Sequence, residues 1–98
     1  MANKTFTIGK LMATRGVADK INDCPEFERF ARQAFARYRR CDWGDLTDSD
    51  KRQNDEAVRN GDDRILAAYV HPEHPDWKIW IITEYDRSAT TLLFPDEY

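Results

Sequence analysis

The strongest folding signal in this chain is an amphipathic helix predicted over residues 25–40. Its apolar side chains recur at helical spacing, so they fall in one stripe that should face a core. The stripe consists of Phe27, Phe30, Ala31, Ala34, Phe35 and Tyr38. Pro25 suits the first turn of a helix, where its missing N–H costs no hydrogen bond. The chain therefore has to fold so that something covers this aromatic face.

Two further helical segments are predicted, and both are weaker. A short helical turn is expected at residues 17–21, and a longer helix is expected over residues 48–60. Thr47 precedes the longer helix and is suited to cap its first turn. Because this helix is poor in apolar residues, we expect it on the surface, with Asn54 or Asp55 turned inward.

The last third of the chain changes from helical to strand-like patterns. Residues 64–70, 78–85 and 89–94 are rich in β-branched and aromatic side chains, and short links join them. These three runs predict an antiparallel meander, and a strand within residues 4–14, interrupted at Gly9, would add a fourth. We therefore predict an α+β fold, in which an antiparallel sheet of three to four strands carries two main helices on one face.

Length and composition fit a single domain over residues 1–98 in the cytoplasm. Charged residues make up 34% of the chain and hydrophobic residues 41%, as in ordinary globular proteins. No apolar run approaches the roughly 20 residues that span a bilayer, and the N-terminus has no signal-peptide core. Cys24 and Cys41 flank the first predicted main helix. At ~1.5 Å per residue they would lie about 25 Å apart, so both are predicted to remain thiols.

The net charge of −3 is unevenly distributed along the chain. Residues 1–40 carry +5, residues 41–63 carry −5 and residues 64–98 carry −3. An acidic surface attracts basic surfaces, including those that normally hold nucleic-acid phosphates. Helix capping and solvation are the alternative explanation for these acids. The predicted partner-binding set is Asp42, Trp43, Asp45, Asp48, Asp50, Asp55 and Glu56.

Four arginines of the first main helix suggest a different partner. Plotted at 100° per residue, Arg29, Arg32, Arg39 and Arg40 fall away from the aromatic stripe. Basic side chains on one helix face are typical of phosphate contact, so a nucleic-acid-binding surface is the alternative interpretation. A solvated face, or ion pairing with the acidic helix, accounts for the same arginines in a chain with a pI near 5.3.

The sequence contains no recognisable catalytic motif. We therefore predict that the protein is not an enzyme and that it needs no cofactor or metal. His71 and His74 are the most enzyme-like pair, but they stand on a proline-broken loop without the helical geometry common in zinc sites. We expect that loop to be exposed. The acids from Asp42 to Asp50 also fail as a calcium loop, because Gln53 stands where its final Glu belongs.

Several motifs in the chain resemble those of a known family. They are ATRGV at 13–17, WGDL at 43–46, ND at 54–55 and IWIITEYDRSATTLLFPDEY at 79–98. The family consists of small bacterial proteins carried on plasmids, conjugative elements and phages, labelled "plasmid-related protein" or type I restriction endonuclease subunit M. The label "subunit M" denotes a methyltransferase. It does not suit this chain, because methyltransferase activity needs a much larger doubly wound domain. The resemblance implies a mobile-element protein without a settled activity.

The resemblance and the acidic block together favour a non-enzymatic inhibitor of a host nucleic-acid-processing defence complex. Small acidic anti-CRISPR and anti-restriction proteins on mobile elements provide the analogy. The expected partner is then a CRISPR effector or a restriction enzyme, bound through the acidic surface. The alternative is a small nucleic-acid-binding or regulatory accessory protein that uses the four arginines. Both functions are compatible with a monomer or a dimer.

Overall fold

The computed structural model describes residues 6–98 and has an α+β fold, as predicted. The elements in chain order are β1 (Lys10–Ala13), α1 (Arg15–Asp23), α2 (Pro25–Arg39), α3 (Asp48–Asn60), β2 (Ile65–Val70), β3 (Lys78–Thr83) and β4 (Ala89–Leu93), followed by a 3₁₀ turn at Pro95–Glu97. The predicted N-terminal strand began at residue 4. Residues 4 and 5 of that prediction lie outside the described residues.

The four-stranded sheet is mixed, and this corrects the prediction of an antiparallel sheet. Its strand order is β1-β4-β3-β2, and β2, β3 and β4 form the predicted antiparallel meander. However, β1 pairs with β4 in parallel, with Lys10 opposite Ala89. The direction follows from the connection to α1, which begins directly after Thr14 and packs on α2. The C-terminal end of β1 has to lie at the end of the sheet where α1 begins.

The placement of the helices is also only partly as predicted. α1 and α2 cover one face of the sheet and bury the aromatic stripe of α2 against β3 and β4. α3 instead lies along the outer edge of β2, where the carboxamide of Asn54 bonds to the backbone of Leu66. Ala57 is the residue of α3 that reaches the core. The two main helices therefore do not share one face.

A chain of buried hydroxyl groups crosses the core beneath α2. The hydroxyls of Tyr38 and Thr83 are 2.7 Å apart, and those of Thr83 and Thr90 are also 2.7 Å apart. Thr90 then donates to the carbonyl oxygen of Ile8 at 2.7 Å. Burial raises the pKa of Tyr38, so its hydroxyl keeps its proton. These bonds tie the segment before β1 to the sheet.

Two further predictions concern the cysteines and the possibility of a membrane-spanning helix. Cys24 and Cys41 both keep their thiols, as predicted. Within residues 6–98, no helix has the length and apolar character needed to cross a membrane.

Candidate binding surfaces

The loop between α2 and α3 lies along the outer edge of β2 and closes it. The Asp45 N–H donates to the Ala68 carbonyl oxygen at 2.7 Å, and the Asp45 carboxylate accepts from the Val70 N–H at 3.0 Å. Gly44 forms a bridge with Ala68, so close that a side chain at Gly44 would overlap the Ala68 carbonyl. We call residues 42–46 the edge strap. It occupies backbone groups that would otherwise be open to another strand.

The edge strap is held down by its own side chains. Trp43 lies in the core with 3% of its surface exposed, and its Nε1 donates to Asp55 Oδ1 at 3.0 Å. Arg37 donates to both carboxylate oxygens of Asp42, at 2.8 and 3.1 Å, and these bonds lower the pKa of Asp42. Four of the seven predicted partner-binding residues, namely Asp42, Trp43, Asp45 and Asp55, therefore make bonds inside the molecule.

The other three predicted contact residues lie exposed on α3. Asp48, Asp50 and Glu56 all face solvent. Arg52 and Arg59 are exposed on the same helix, and at about 100° per residue they project from the same side as Asp48 and Glu56. The outward face of α3 is therefore mixed in charge.

A more uniform group of carboxylates lies where the loop after α3 meets the β3–β4 hairpin. Arg87 joins the two segments, because its Nη1 donates to the carbonyl oxygens of Asp63 at 2.6 Å and Glu84 at 3.2 Å. Asp63 also lines a cleft of about 430 Å³ together with Asp50 and Arg64. We call this region together with the cleft the acidic end; its carboxylates are Asp50 on the cleft wall formed by α3, and Asp62, Asp63, Glu84 and Asp86 in the loop and hairpin, and Arg64 is an exposed cation among them.

The four predicted arginines lie on one side of α2, counting Arg40, the residue that ends it. Arg29, Arg32, Arg39 and Arg40 are all exposed. At about 100° per residue they fall within about 100° of arc, opposite the buried aromatic stripe. Arg32 pairs with Glu28, whereas Arg37 lies outside this arc and turns to Asp42. We call these four residues the arginine face.

His71 and His74 anchor the β2–β3 loop to the start of α2. His74 Nε2 lies 2.9 Å from Glu26 Oε2, and His71 Nε2 lies 3.8 Å from the same oxygen. Most of the loop is exposed, as predicted, whereas His71 itself is half-buried against Trp77. His71 Nδ1 accepts the N–H groups of Glu73 and His74, so the neutral ring carries its hydrogen on Nε2.

That hydrogen leaves His71 without the lone pair that a metal would require at Nε2. Across residues 6–98, no group of three or more His, Cys, Asp or Glu side chains is arranged to hold a metal ion. The contacts of His71 and His74 with Glu26 hold the β2–β3 loop against the start of α2.

Two side chains with important contacts lie outside the predicted binding sets. Arg87 lies in a hairpin turn with φ of 61°, and Glu97 lies in the C-terminal 3₁₀ turn. Glu97 accepts from the Thr14 hydroxyl at 2.6 Å and from the Gly16 N–H at 3.2 Å, which ties the C-terminus to the start of α1. Both sets of contacts join segments far apart in the chain, so only the folded structure reveals them.

Comparison of the chain with protein-family models, with curated proteins and with solved structures finds no match.

Proposed function

We propose that this protein is a non-enzymatic binding protein of a mobile genetic element, acting in the cytoplasm on a host nucleic-acid-processing defence complex. It would inhibit a CRISPR effector or a restriction enzyme by covering the basic surface that holds nucleic acid. The sequence resemblance to plasmid-, conjugative-element- and phage-borne proteins supports the setting. The acidic end supports the mode of binding.

The observation that supports this proposal is a set of exposed carboxylates that have no bonding partner among residues 6–98. The side chains of Asp50, Asp62 and Glu84 form no hydrogen bond or ion pair within the part of the chain that the structure describes, and all three are exposed. Their negative charge is therefore available to a partner. By contrast, the carboxylates of Asp42 and Asp45 are already bonded within the fold.

Opposite charges would act mainly on recognition and on the rate of encounter. A negative surface steers toward a positive one over a distance set by salt, with a Debye length of about 8 Å at physiological ionic strength. Arg87 bonds to the backbone of α3, of the loop after it and of the β3–β4 hairpin, so the segments that carry Asp63 and Glu84 are held together. Binding there should weaken as salt rises.

A charge-reversal experiment tests the proposal. The variant carries Asp50→Lys, Asp62→Lys and Glu84→Lys, and the matched control carries Asp23→Lys, Glu73→Lys and Asp96→Lys, three exposed carboxylates outside the acidic end. Both variants change the net charge equally. A tagged protein is first used to capture its partner from a host lysate, with identification by mass spectrometry. The identified complex is then purified and its nucleic-acid binding is titrated with each variant.

We expect the acidic-end variant to lose at least about tenfold in inhibitory potency while the control keeps the wild-type potency. Equal loss in both variants would mean that net charge alone matters, and it would contradict a specific acidic surface. Full potency in the acidic-end variant, with folding confirmed by circular dichroism, would also contradict the proposal.

A second candidate function is supported by the arginine face. Four exposed guanidinium groups on one side of a rigid helix suit contact with phosphates, which an acidic protein can still make locally. The protein would then be a nucleic-acid-binding or regulatory accessory of the mobile element. This function predicts direct binding to nucleic acid without a protein partner.

Fluorescence anisotropy with labelled duplex and single-stranded DNA tests the second function. The logarithm of the affinity should fall with the logarithm of salt concentration, with a slope near −0.9 per phosphate contact on duplex DNA. Arg29→Gln and Arg39→Gln should each make that slope shallower by about one, whereas Arg59→Gln on α3 should leave it unchanged. Absence of binding at low salt would exclude this function.

A further inference from the structure

The two edge strands of the sheet, β2 and β1, differ in how far their outward backbone groups are covered. At the β2 edge, the Asn54 carboxamide bonds to both the N–H and the carbonyl oxygen of Leu66, and the edge strap bonds to Ala68 and Val70. These bonds prevent another strand from adding to β2. No comparable cover lies on β1 among residues 6–98. Among the residues that the structure describes, one edge of the sheet is therefore closed and the other is accessible.

The backbone of β1 is oriented to accept a further strand. The N–H groups of Lys10 and Thr14 point toward β4, where they donate to Ser88 and Leu92 at 3.0 Å each. Because backbone groups alternate along a strand, the N–H and C=O groups of Leu11 and Ala13 point away from the sheet. A strand laid beside β1 could bond to all four of these groups.

Three of the four side chains of β1, those of Leu11, Met12 and Ala13, are apolar, and all four are exposed. Leu11 is 51% exposed and Met12 is 45% exposed, although β1 belongs to the sheet. Beside the strand, on the helical face, lies a groove of about 210 Å³ with an apolar floor. The apolar side chains that line it are Leu11, Ile21, Ala31, Phe35 and Leu92. Covering this region would remove apolar surface from water.

We propose that β1 is a dimerisation strand, which pairs antiparallel with β1 of a second copy about a two-fold axis at Met12. The sheet then continues from one molecule into the other. The proposal concerns an edge of the sheet that neither proposed function uses, and it can fail or succeed independently of both.

The register of this pairing favours a second copy as the occupant. With the axis at Met12, Leu11 of each copy lies opposite Ala13 of the other, so a large side chain meets a small one twice. Both outward residues of both strands then exchange hydrogen bonds, four in all by this alternation. Lys10 lies opposite Thr14 and away from the second Lys10, which avoids a like-charge contact.

Neighbouring registers are poorer. An axis at Leu11 would pair Ala13 with Gly9, whose φ of 63° is not that of a strand. An axis at Ala13 would pair Leu11 with Arg15, which already belongs to α1. A two-fold pairing at Met12 is therefore the register in which both outward residues bond within strand geometry.

The first test measures association directly. Sedimentation velocity and light scattering of the full chain should reveal a monomer–dimer equilibrium between low micromolar and several hundred micromolar protein. Leu11→Lys should raise the dimer dissociation constant at least tenfold, because it places a charge beside the apolar groove. Tyr85→Lys, at a residue that is 65% exposed in the β3–β4 hairpin, is the matched apolar-to-lysine control and should leave it unchanged.

The second test measures the register. In a background of Cys24→Ser and Cys41→Ser, Met12→Cys should form an intermolecular disulfide on mild oxidation. Directly opposed residues in a non-hydrogen-bonded antiparallel pair have Cα atoms about 4.5 Å apart, within the range of a disulfide. Lys10→Cys is the control, because in this register the two cysteines lie about 13 Å apart along the strand direction.

A protein that stays monomeric at every concentration would overturn the proposal. A dimer that Leu11→Lys does not weaken, or that cross-links equally through positions 10 and 12, would also overturn it by assigning the interface to another surface. Near-ultraviolet circular dichroism of each variant confirms that the fold is retained.

Discussion

The carboxamide of Asn54 meets Leu66 as a peptide group of a neighbouring strand would. Its Nδ2 donates to the Leu66 carbonyl oxygen at 2.9 Å, and its Oδ1 accepts from the Leu66 N–H at 3.3 Å. One side chain thus satisfies both a donor and an acceptor of the strand backbone. Asn54 is itself buried, and it is hydrogen-bonded, as buried polar side chains generally are.

Asn54→Ala should therefore lower the free energy of unfolding by about 1–3 kcal/mol, since two backbone groups lose their partners. Gln53→Ala, at the exposed position next to it, should change it by less than about 0.5 kcal/mol. Urea unfolding monitored by tryptophan fluorescence measures both. Equal effects in the two variants would contradict a specific role for the carboxamide.

Gly44 and Gly61 allow the effect of close packing between the edge strap and β2 to be separated from the effect of backbone conformation. Both have positive φ, 74° and 70°, so alanine at either position carries a similar backbone penalty of about 1–2 kcal/mol. A Cβ at Gly61 would meet no atom within 4 Å, whereas at Gly44 it would overlap Ala68 and lie 2.7 Å from the Tyr69 ring.

Gly61→Ala should cost only the backbone penalty, and Gly44→Ala should cost about 2–5 kcal/mol in total because the edge strap has to move off β2. Thermal unfolding of the two variants measures the difference. Similar melting temperatures would mean that the edge strap can shift without loss.

At the scale of elements, Arg87 connects α3 to the β3–β4 hairpin. Its Nη2 donates to the Ala57 carbonyl oxygen at 2.8 Å, near the C-terminal end of α3, where exposed carbonyls favour a positive charge. Its Nη1 reaches Asp63 and Glu84. The planar guanidinium thus serves three segments at once, which the single ammonium of a lysine cannot do with the same geometry.

Arg87→Lys should lower the free energy of unfolding by about 1–3 kcal/mol although it preserves the charge. Arg59→Lys, on the exposed side of α3, should have little effect. Guanidinium chloride would screen charges, so urea denaturation is the suitable measurement. A neutral Arg87→Lys would indicate that charge alone holds the acidic end together.

Local sequence patterns predicted the elements well and their arrangement less well. The helical spacing of Phe27 through Tyr38 and the cap at Thr47 identify α2 and α3, since helix formation depends on neighbours in sequence. The parallel pairing of β1 with β4 depends on residues almost eighty positions apart, which no local pattern records. The position of α3 at the β2 edge depends in the same way on Asn54 finding Leu66.

For the candidate surfaces too, features set by local sequence were predicted and features set by distant contacts were not. The arginines were predicted to be exposed because helical spacing alone separates them from the aromatic stripe. The acidic set was less well predicted, since Trp43 turned into the core and Asp45 turned to the backbone of Val70. Asp45 is exposed and yet bonded within the fold, so the exposure of a loop carboxylate does not by itself make it available to a partner.

For the molecule as a whole, two carboxylates make the stability depend on pH: Asp42, which pairs with nearby Arg37, and Glu97, which joins the C-terminal turn to the start of α1. Hydrogen bonds from Arg37 lower the pKa of Asp42, and the hydroxyl of Thr14 with the Phe94 and Gly16 amides lowers the pKa of Glu97. A carboxyl group whose pKa is lowered by folding stabilises the fold above its unfolded pKa, near 4. That contribution disappears as the pH falls through the lower, folded pKa.

Wild-type stability should therefore decline below about pH 4, and the variant Asp42→Asn with Glu97→Gln should decline less steeply there. The variant should be less stable than wild type at pH 7, and the two curves should converge in acid. Thermal melting between pH 7 and pH 2 measures both curves. Asp48→Asn with Asp96→Asn is the control, because the side chains of Asp48 and Asp96 form no hydrogen bond or ion pair within residues 6–98. Parallel curves for wild type and the Asp42/Glu97 variant would contradict this linkage.

The pairing of β1 with β4 also determines when the protein can fold during its synthesis. Residues 10–13 leave the ribosome well before their partner strand, residues 89–93. Until residue 93 is made, Leu11 and Met12 have no partner strand, and the core beneath the helices lacks β4. The sheet therefore closes late relative to the synthesis of its first strand, and a chain that waits with apolar segments uncovered is prone to aggregation.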